Sequence, residues 1–173
     1  MLFQDEASFY RQPGQSQLWS GRGRRQSKIY LGHHSNKHPL RVVGFLDALS
    51  GQVISFSFPR VTAKRLAGCI RELQKSYPLA ERVYLVWDNW PVHLHRTVVE
   101  AVEEDSRLRV LPFPTYSPWL NPIEKLWRLL HQELTHAHPW PEDFKLFAQI
   151  IMARLALFRF GSVELLHYCG LAP

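Results

Sequence analysis

The sequence predicts an α/β protein in which a mixed sheet of five strands is covered by helices on both faces. Three observations predict it: strand-like segments come first, helical and strand-like segments then alternate, and one strand is apolar along its whole length. A continuously apolar strand is typical of burial on both sides, and alternation of strands with helices favours helices on the two faces of the sheet. At 173 residues the chain is expected to form a single domain over residues 1–173.

The first third of the chain supplies three predicted strands. The first is expected around Leu2–Ser8, and two runs rich in β-forming residues flank Ser50-Gly51, which is typical of a hairpin. These two runs are Arg41–Leu49 and Gln52–Phe58. Further extended segments are expected at 17–20 and 27–31, inside a glycine-rich basic stretch.

Helices and strands alternate in the rest of the chain. Thr62 is a favourable N-cap, and the apolar residues after it follow the spacing of one helix face until Pro78 ends the pattern: Leu66, Cys69, Ile70, Leu73 and Tyr77. Later helices are expected from Pro91, with Leu94 facing the core, over Pro122–Thr135, and from Trp140 onward. Strands are expected at Val83–Trp87 and Leu108–Phe113. A proline-rich loop is expected at Pro114–Trp119.

The predicted order β-β-β-α-β-α-β-α is that of the ribonuclease H fold. In that fold the first strand lies beside the fourth, so acidic residues on those two strands meet at one end of the sheet. Asp5 lies in the first strand and Asp88 directly follows the fourth. Glu124, one turn into the helix announced by Asn121-Pro122, is the third candidate. Carboxylates are the ligands that Mg²⁺ prefers, and two such ions about 4 Å apart stabilise both the attacking and the leaving oxygen of a phosphodiester.

Each acid has a competing interpretation. A carboxylate that ends a buried apolar strand is expected to be paired or metal-bound, but Asp88 could instead cap the next helix. Glu124 falls at the third helical position after Asn121, where a capping box would place it. Glu6 competes with Asp5, and strand alternation allows only one of these two to face the site. Asp47 is more simply a residue at the end of the hairpin.

The histidines suggest a zinc site only weakly. His93-x-His95 and His136-x-His138 lack the spacing of known zinc sites, and Cys69 and Cys169 lie far from them in the sequence. His93 is instead a candidate for a DNA phosphate contact or for orienting a metal-bound water, with a place on a helix surface as the alternative. The two isolated cysteines suggest neither a disulfide framework nor a thiolate metal site.

The positive charge of the chain is concentrated between Glu6 and Asp47, where no acidic residue occurs. A one-signed stretch of this kind is typical of a surface that contacts phosphates, although a solvated basic loop is the alternative. The residues expected to contact double-stranded DNA are Arg22, Arg24, Arg25, Lys28 and Lys37, together with His93 and Tyr116. No run of about 18 apolar residues indicates a membrane helix, so a cytoplasmic protein is expected.

Three segments together resemble the catalytic domain of mariner-superfamily transposases, in particular their bacterial insertion-sequence branch. They are Asp5-Glu6-Ala7-Ser8-Phe9, Trp87-Asp88-Asn89-x-Pro91-x-His93, and Leu111-Pro112-x-Pro114-x-Tyr116-Ser117-Pro118-x-Leu120-Asn121-Pro122-Ile123-Glu124-x-x-Trp127. The resemblance runs from the first strand to about His136, and the string around Glu124 is its most specific part.

The resemblance implies an Asp-Asp-Glu metal triad of Asp5, Asp88 and Glu124 on a retroviral-integrase-like fold. It implies two Mg²⁺ ions, with Mn²⁺ able to substitute, cleavage of transposon ends, and strand transfer into target DNA by a homodimer. Members of this family carry an N-terminal helix-turn-helix region, which is expected to be absent from this chain and to be separately encoded, fused by frameshifting, or lost. An inactive or co-opted remnant that only binds DNA and a stand-alone structure-selective nuclease are the alternative functions.

Overall fold

A mixed five-stranded sheet forms the centre of the computed structural model, which describes residues 1–12, 38–115, 117–136 and 138–171. The strands are β1 (Leu2–Phe9), β2 (Leu40–Asp47), β3 (Val53–Phe58), β4 (Val83–Trp87) and β5 (Leu108–Pro112). Their order in the sheet is β3-β2-β1-β4-β5. The first three strands are antiparallel neighbours, whereas β1, β4 and β5 run parallel. The prediction that the first strand lies beside the fourth is therefore confirmed.

Helices cover both faces of this sheet, as predicted. They are α1 (Ala63–Ser76), α2 (Arg96–Glu103), α3 (Ile123–Leu130), α4 (Phe144–Ala156) and α5 (Val163–Cys169). Helices α1 and α2 pack on one face, where Leu2, Phe45 and Leu85 are buried. Helices α3, α4 and α5 pack on the other face with Phe3, Phe9 and Val86. Because side chains alternate along β1, consecutive residues of this strand point into two different layers.

The hairpin and the first helix form as the sequence predicts. Asp47 is buried at the end of β2, where its Oδ1 accepts the backbone N–H of Leu49 at 2.9 Å. That contact supports its interpretation as a hairpin-end residue. The Oγ1 of Thr62 accepts the Arg65 N–H and caps α1.

The segment after β4 differs from the single helix that the sequence predicts. A short 3₁₀ helix covers Pro91–Leu94, and α2 begins only after His95, whose backbone is extended. The Nδ1 atom of His95 accepts the Thr97 N–H and caps α2. Because of this break, His93 is buried in the protein and Leu94 is 79% exposed. The prediction that Leu94 faces the core is therefore wrong.

The C-terminal part also contains more breaks than predicted. After α3 the chain continues as a π-helical turn over His131–Thr135. The next helix starts at Phe144 rather than Trp140, because the Asp143 side chain caps it by accepting the Leu146 N–H at 2.9 Å. Gly161, with φ of +96°, turns the chain between α4 and α5.

Two predicted extended segments, 17–20 and 27–31, lie outside the described residues. In the part of the chain that is described, none of the helices has the length and apolar character needed to cross a membrane.

Candidate functional site

Asp5 lies in the middle of β1, on the face of the sheet that α3 covers. It is paired in register with Gly44 of β2. Its Oδ2 accepts a hydrogen bond from the Nε1–H of Trp127 at 3.1 Å. Glu6 points to the opposite face, where its Oε1 accepts the Gln4 amide at 2.8 Å and lies 3.8 Å from His93 Nε2. Strand alternation therefore places Asp5 in the candidate site and Glu6 in the layer behind it.

Asp88 follows the last residue of β4, at the end of the sheet toward which the parallel strands run. Its side chain is 58% exposed. The side chain therefore lies at the mouth of the site, one residue beyond the end of the buried strand that the sequence predicts. Oδ1 accepts the backbone N–H of Trp90 at 3.0 Å. This bond closes a turn ahead of the 3₁₀ helix and leaves Oδ2 available to a ligand.

Glu124 lies in the first turn of α3 and is half-buried. Among the described residues no hydrogen bond joins its carboxylate to the start of the helix, so the capping box does not form here. The side chain of Asn121 does not cap the helix either. Its Nδ2 instead donates to the backbone oxygen of Gln4 in β1 at 3.2 Å, which ties the start of α3 to the strand that carries Asp5.

The three acids line one cavity of about 340 Å³. They reach it from three segments that are distant in sequence: the middle of β1, the end of β4 and the start of α3. The rest of the lining comes from residues after β4, after β5 and before α3: Asn89, Trp90, Phe113, Pro114, Thr115, Ser117 and Asn121. The Asn89 Nδ2 donates to the Phe113 carbonyl at 2.9 Å and holds the first two of these segments together.

The electrostatics of the cavity favour a cation. Burial, and after it the neighbouring charge of Glu124, raise the pKa of Asp5 to about 8, against smaller lowering effects of the Glu6 backbone and the Trp127 N–H. At neutral pH the Asp5 carboxyl therefore holds a proton in the absence of a positive charge. A divalent cation beside Asp5 and Glu124 would reverse this balance, because it stabilises both ionised carboxylates.

Asn121 adds an unpaired oxygen to the same cavity lining. The residue is 5% exposed, and its Oδ1 has no hydrogen-bond partner among the described residues. A buried amide oxygen without a partner is costly, and it is also a hard donor of the kind that Mg²⁺ accepts directly or through water. The donor set of three carboxylates and one amide oxygen therefore fits a Mg²⁺-type ion.

The described residues contain no ready-made cluster of three metal ligands from histidine, cysteine, aspartate or glutamate. The three acids that line the cavity therefore do not form a preassembled ligand cluster, and an ion would have to draw their carboxylates together. This absence also leaves the weakly suggested zinc site without support in the described part of the chain.

His93 occupies a different place from the one its sequence context suggested. It is 3% exposed, and its ring is stacked on Trp87 with centroids 4.4 Å apart and planes 3° apart. Its Nδ1 lies 2.9 Å from the Asp88 carbonyl oxygen. A buried imidazole cannot reach a DNA phosphate, so the expectations of a DNA contact and of a helix-surface position are both corrected.

The other predicted DNA contacts, Arg22, Arg24, Arg25, Lys28, Lys37 and Tyr116, lie outside the described residues. Sequence reasoning missed Trp127 as a partner of Asp5. Its position in the apolar stripe of α3 signalled burial, but no local pattern indicated that its N–H would meet a carboxylate 122 residues away.

Comparison with known proteins agrees with this architecture. Residues 1–146 match the model of a family described as DDE superfamily endonuclease. Among curated proteins, the chain is 24% identical over 150 residues to the insertion element IS630 uncharacterized 39 kDa protein of Shigella sonnei. The match covers 87% of this chain and 43% of that protein, so the chain spans less than half the length of this relative.

Solved structures show the same fold. Mos1 transposase, in a paired-end complex with the left transposon end, matches with a TM-score of 0.69 and 19% identity over 98% of this chain and 51% of that chain. The Mos1 paired-end complex with Mn matches with a TM-score of 0.65 and 19% identity over 98% of this chain and 51% of that chain. The complex with Mg matches with a TM-score of 0.66 and 18% identity over 97% of this chain and 51% of that chain. The catalytic core of BIV integrase matches with a TM-score of 0.50 and 18% identity over 68% of this chain and 73% of that chain. The ribonuclease H-like fold predicted from the element order is thereby confirmed.

Proposed function

The chain belongs to the DDE superfamily of endonucleases, and we propose that it is the catalytic domain of a DNA transposase. In this proposal it cuts double-stranded DNA at transposon ends and joins the 3′ hydroxyl to target DNA. One observation carries the proposal: Asp5, Asp88 and Glu124, from three distant segments, line one cavity at the end of the sheet where β4 ends. The known transposase and integrase structures with this fold support the same assignment.

The reaction would require divalent metal, with two Mg²⁺ ions as the expected complement and Mn²⁺ as a substitute. Asp5, Asp88 and Glu124 would hold the ions, and the Oδ1 of Asn121 would complete the donor set. When bound, such ions activate the attacking oxygen and stabilise the charge on the leaving oxygen. The Mos1 complexes with Mn and with Mg support this choice of metals.

The chain's own residues would supply orientation and charge. Trp90 holds Oδ1 of Asp88 through its backbone N–H, and Trp127 holds Oδ2 of Asp5, so each carboxylate keeps a fixed orientation toward an ion. Glu124, held by the first turn of α3, closes the cavity from the helix side. Fixing these groups before the substrate arrives lowers the reorganisation needed in the transition state.

The test is cleavage of a plasmid that carries the DNA flanking this gene on both sides, in Mg²⁺, by the parent chain and by Asp88→Asn. Because Asp88 contributes charge and a ligand oxygen but is largely exposed, the variant is expected to fold and to bind DNA while losing cleavage. The matched control is Glu81→Gln, which removes one exposed negative charge at the opposite end of β4 and should cut like the parent.

Each outcome decides between the candidate functions. Cleavage by Asp88→Asn at the parent's rate overturns the assignment of the site. DNA binding by the parent without cleavage in Mg²⁺ or Mn²⁺ favours the remnant that only binds DNA. Cleavage of branched DNA without transposon ends favours the structure-selective nuclease. The homodimer and a separately encoded helix-turn-helix partner stay predictions.

A further inference from the structure

The indole of Trp127 is the side chain of α3 that directly contacts a carboxylate of the candidate site. Trp127 is 3% exposed and lies in the core beneath β1 and β2, with its ring edge-on to Phe9 at a centroid distance of 6.3 Å. From this buried position its Nε1–H reaches Asp5 Oδ2 at 3.1 Å. An indole N–H can only donate, and an ionised carboxylate can only accept, so the bond favours the charged form of Asp5.

Gly44 explains how a side chain as large as tryptophan fits against the strand next to Asp5. Gly44 is the register partner of Asp5 on β2 and faces the same layer. A Cβ at this position would lie 2.5 Å from Cη2 and 2.7 Å from Cζ2 of Trp127. Glycine is therefore required here by space, because the six-membered ring of Trp127 occupies the volume that a side chain would need.

The Trp127 N–H is the side-chain donor to the Asp5 carboxylate, beside the backbone of the adjacent Glu6. With Oδ2 held by a fixed donor, rotation of the carboxylate is limited. Fixed hydrogen bonds of this kind to a metal-binding group typically change metal affinity by 10- to 100-fold when they are removed.

We propose that Trp127 is a positioning residue that orients Asp5 for metal binding, and that Gly44 provides the space in which its indole lies. This inference rests on the proposed function, since it assigns to Asp5 the role of a metal ligand. It goes further by naming two residues outside the acidic triad that set the affinity of the site for its ion.

The first test compares the parent with Trp127→Phe, which keeps an aromatic ring in the core but removes the N–H. Calorimetric titration with Mg²⁺ and with Mn²⁺, on the full chain without DNA, is expected to show binding about 10- to 100-fold weaker in the variant. Raising the Mg²⁺ concentration should then restore part of the cleavage rate, which a general loss of folded protein would not allow.

Two controls separate the hydrogen bond from packing. Trp140→Phe makes the same change in a half-buried tryptophan packed against the same core and should leave metal affinity unchanged. If Trp127→Phe does not fold, 3-benzothienylalanine at position 127 replaces the N–H by sulfur at nearly the same size. This analogue should retain the stability of the parent and lose metal affinity.

The role of Gly44 is tested by a double-mutant cycle. Gly44→Ala should displace the indole and weaken metal binding in the parent. In the Trp127→Phe background, Gly44→Ala should lower the free energy of unfolding much less than it does in the parent, because phenylalanine lacks the outer ring atoms that an alanine Cβ would meet. If the effects of the two substitutions on the free energy of unfolding are additive, the part of the proposal that concerns Gly44 is overturned.

A spectroscopic readout follows the contact directly. The indole N–H resonance that is lost in Trp127→Phe should shift when Mg²⁺ is added to the parent and should not respond in Asp5→Asn. Parent-like metal affinity in Trp127→Phe or in the benzothienyl variant overturns the inference and leaves the proposed function intact. Absence of Mg²⁺ and Mn²⁺ binding and of cleavage in the parent itself would instead overturn the proposed function.

Discussion

The Nδ1 atom of His93 lies 2.9 Å from the backbone carbonyl oxygen of Asp88. A carbonyl only accepts, so Nδ1 carries the proton in this bond. The ring is fixed from two further sides, by stacking on Trp87 and by an edge contact with Trp90 at 5.5 Å. His93 thus anchors the backbone that presents Asp88 to the cavity, from a buried position behind it.

Removing this anchor should destabilise the end of β4. His93→Phe keeps the stacked ring but leaves the carbonyl without its donor, and should lower the free energy of unfolding by roughly 1–3 kcal/mol. His93→Ala also removes the ring and should cost more, on the order of 3 kcal/mol or above. Urea unfolding measures both. Equal stability of the parent and of both variants would show that His93 anchors nothing.

Asp5 should make the metal-free protein less stable as the pH rises. Its folded pKa of about 8 lies above the value of about 3.9 expected in the unfolded chain. Between these values the folded state holds a proton that the unfolded state has released, so stability falls with increasing pH, by at most about 1.4 kcal/mol per pH unit from this group. Thermal unfolding in EDTA from pH 4 to 9 measures the slope.

Asp5→Asn is the comparison for that measurement, because the amide does not titrate. The difference in slope between parent and variant should be largest between about pH 5 and 7 and should shrink toward pH 4 and toward pH 9. Added Mg²⁺ should stabilise the parent increasingly as the pH approaches 8, since the ion binds the deprotonated carboxylate. A parent slope identical to that of Asp5→Asn would contradict the raised pKa.

Glu124→Gln should lower the pKa of Asp5 without restoring it to its ordinary value. The charge of Glu124 is the second cause of the raised pKa, after burial, which the substitution leaves in place. The ¹³C chemical shift of the Asp5 carboxyl carbon, followed through a pH titration, reports the change. As the control, Glu81→Gln should leave the pKa of Asp5 at its value in the parent. An equal shift of the Asp5 pKa in both variants would exclude a local effect of Glu124.

Much of the fold could be predicted from the sequence, and the three candidate acids that the sequence singles out line one cavity. Val83–Trp87 is apolar throughout, and its pattern alone identifies a buried strand whose end carries Asp88. The Asn121-Pro122 helix start and the specific string around it single out Glu124 as the third candidate. The helix breaks at His95 and before Phe144 could not be predicted, because they depend on individual capping bonds by His95 and Asp143 that compete closely with helix continuation.

The sequence by itself determined the order of the elements, the candidate acids and the family resemblance, since these depend on residue type and spacing along the chain. Only the tertiary structure decided which atoms restrain those acids. Trp127 and Asp5 are 122 positions apart, and their contact exists because α3 packs over the strand pair at a glycine. An apolar stripe on a helix indicates that Trp127 is buried, but the partner of its N–H depends on how the helix lies across the sheet.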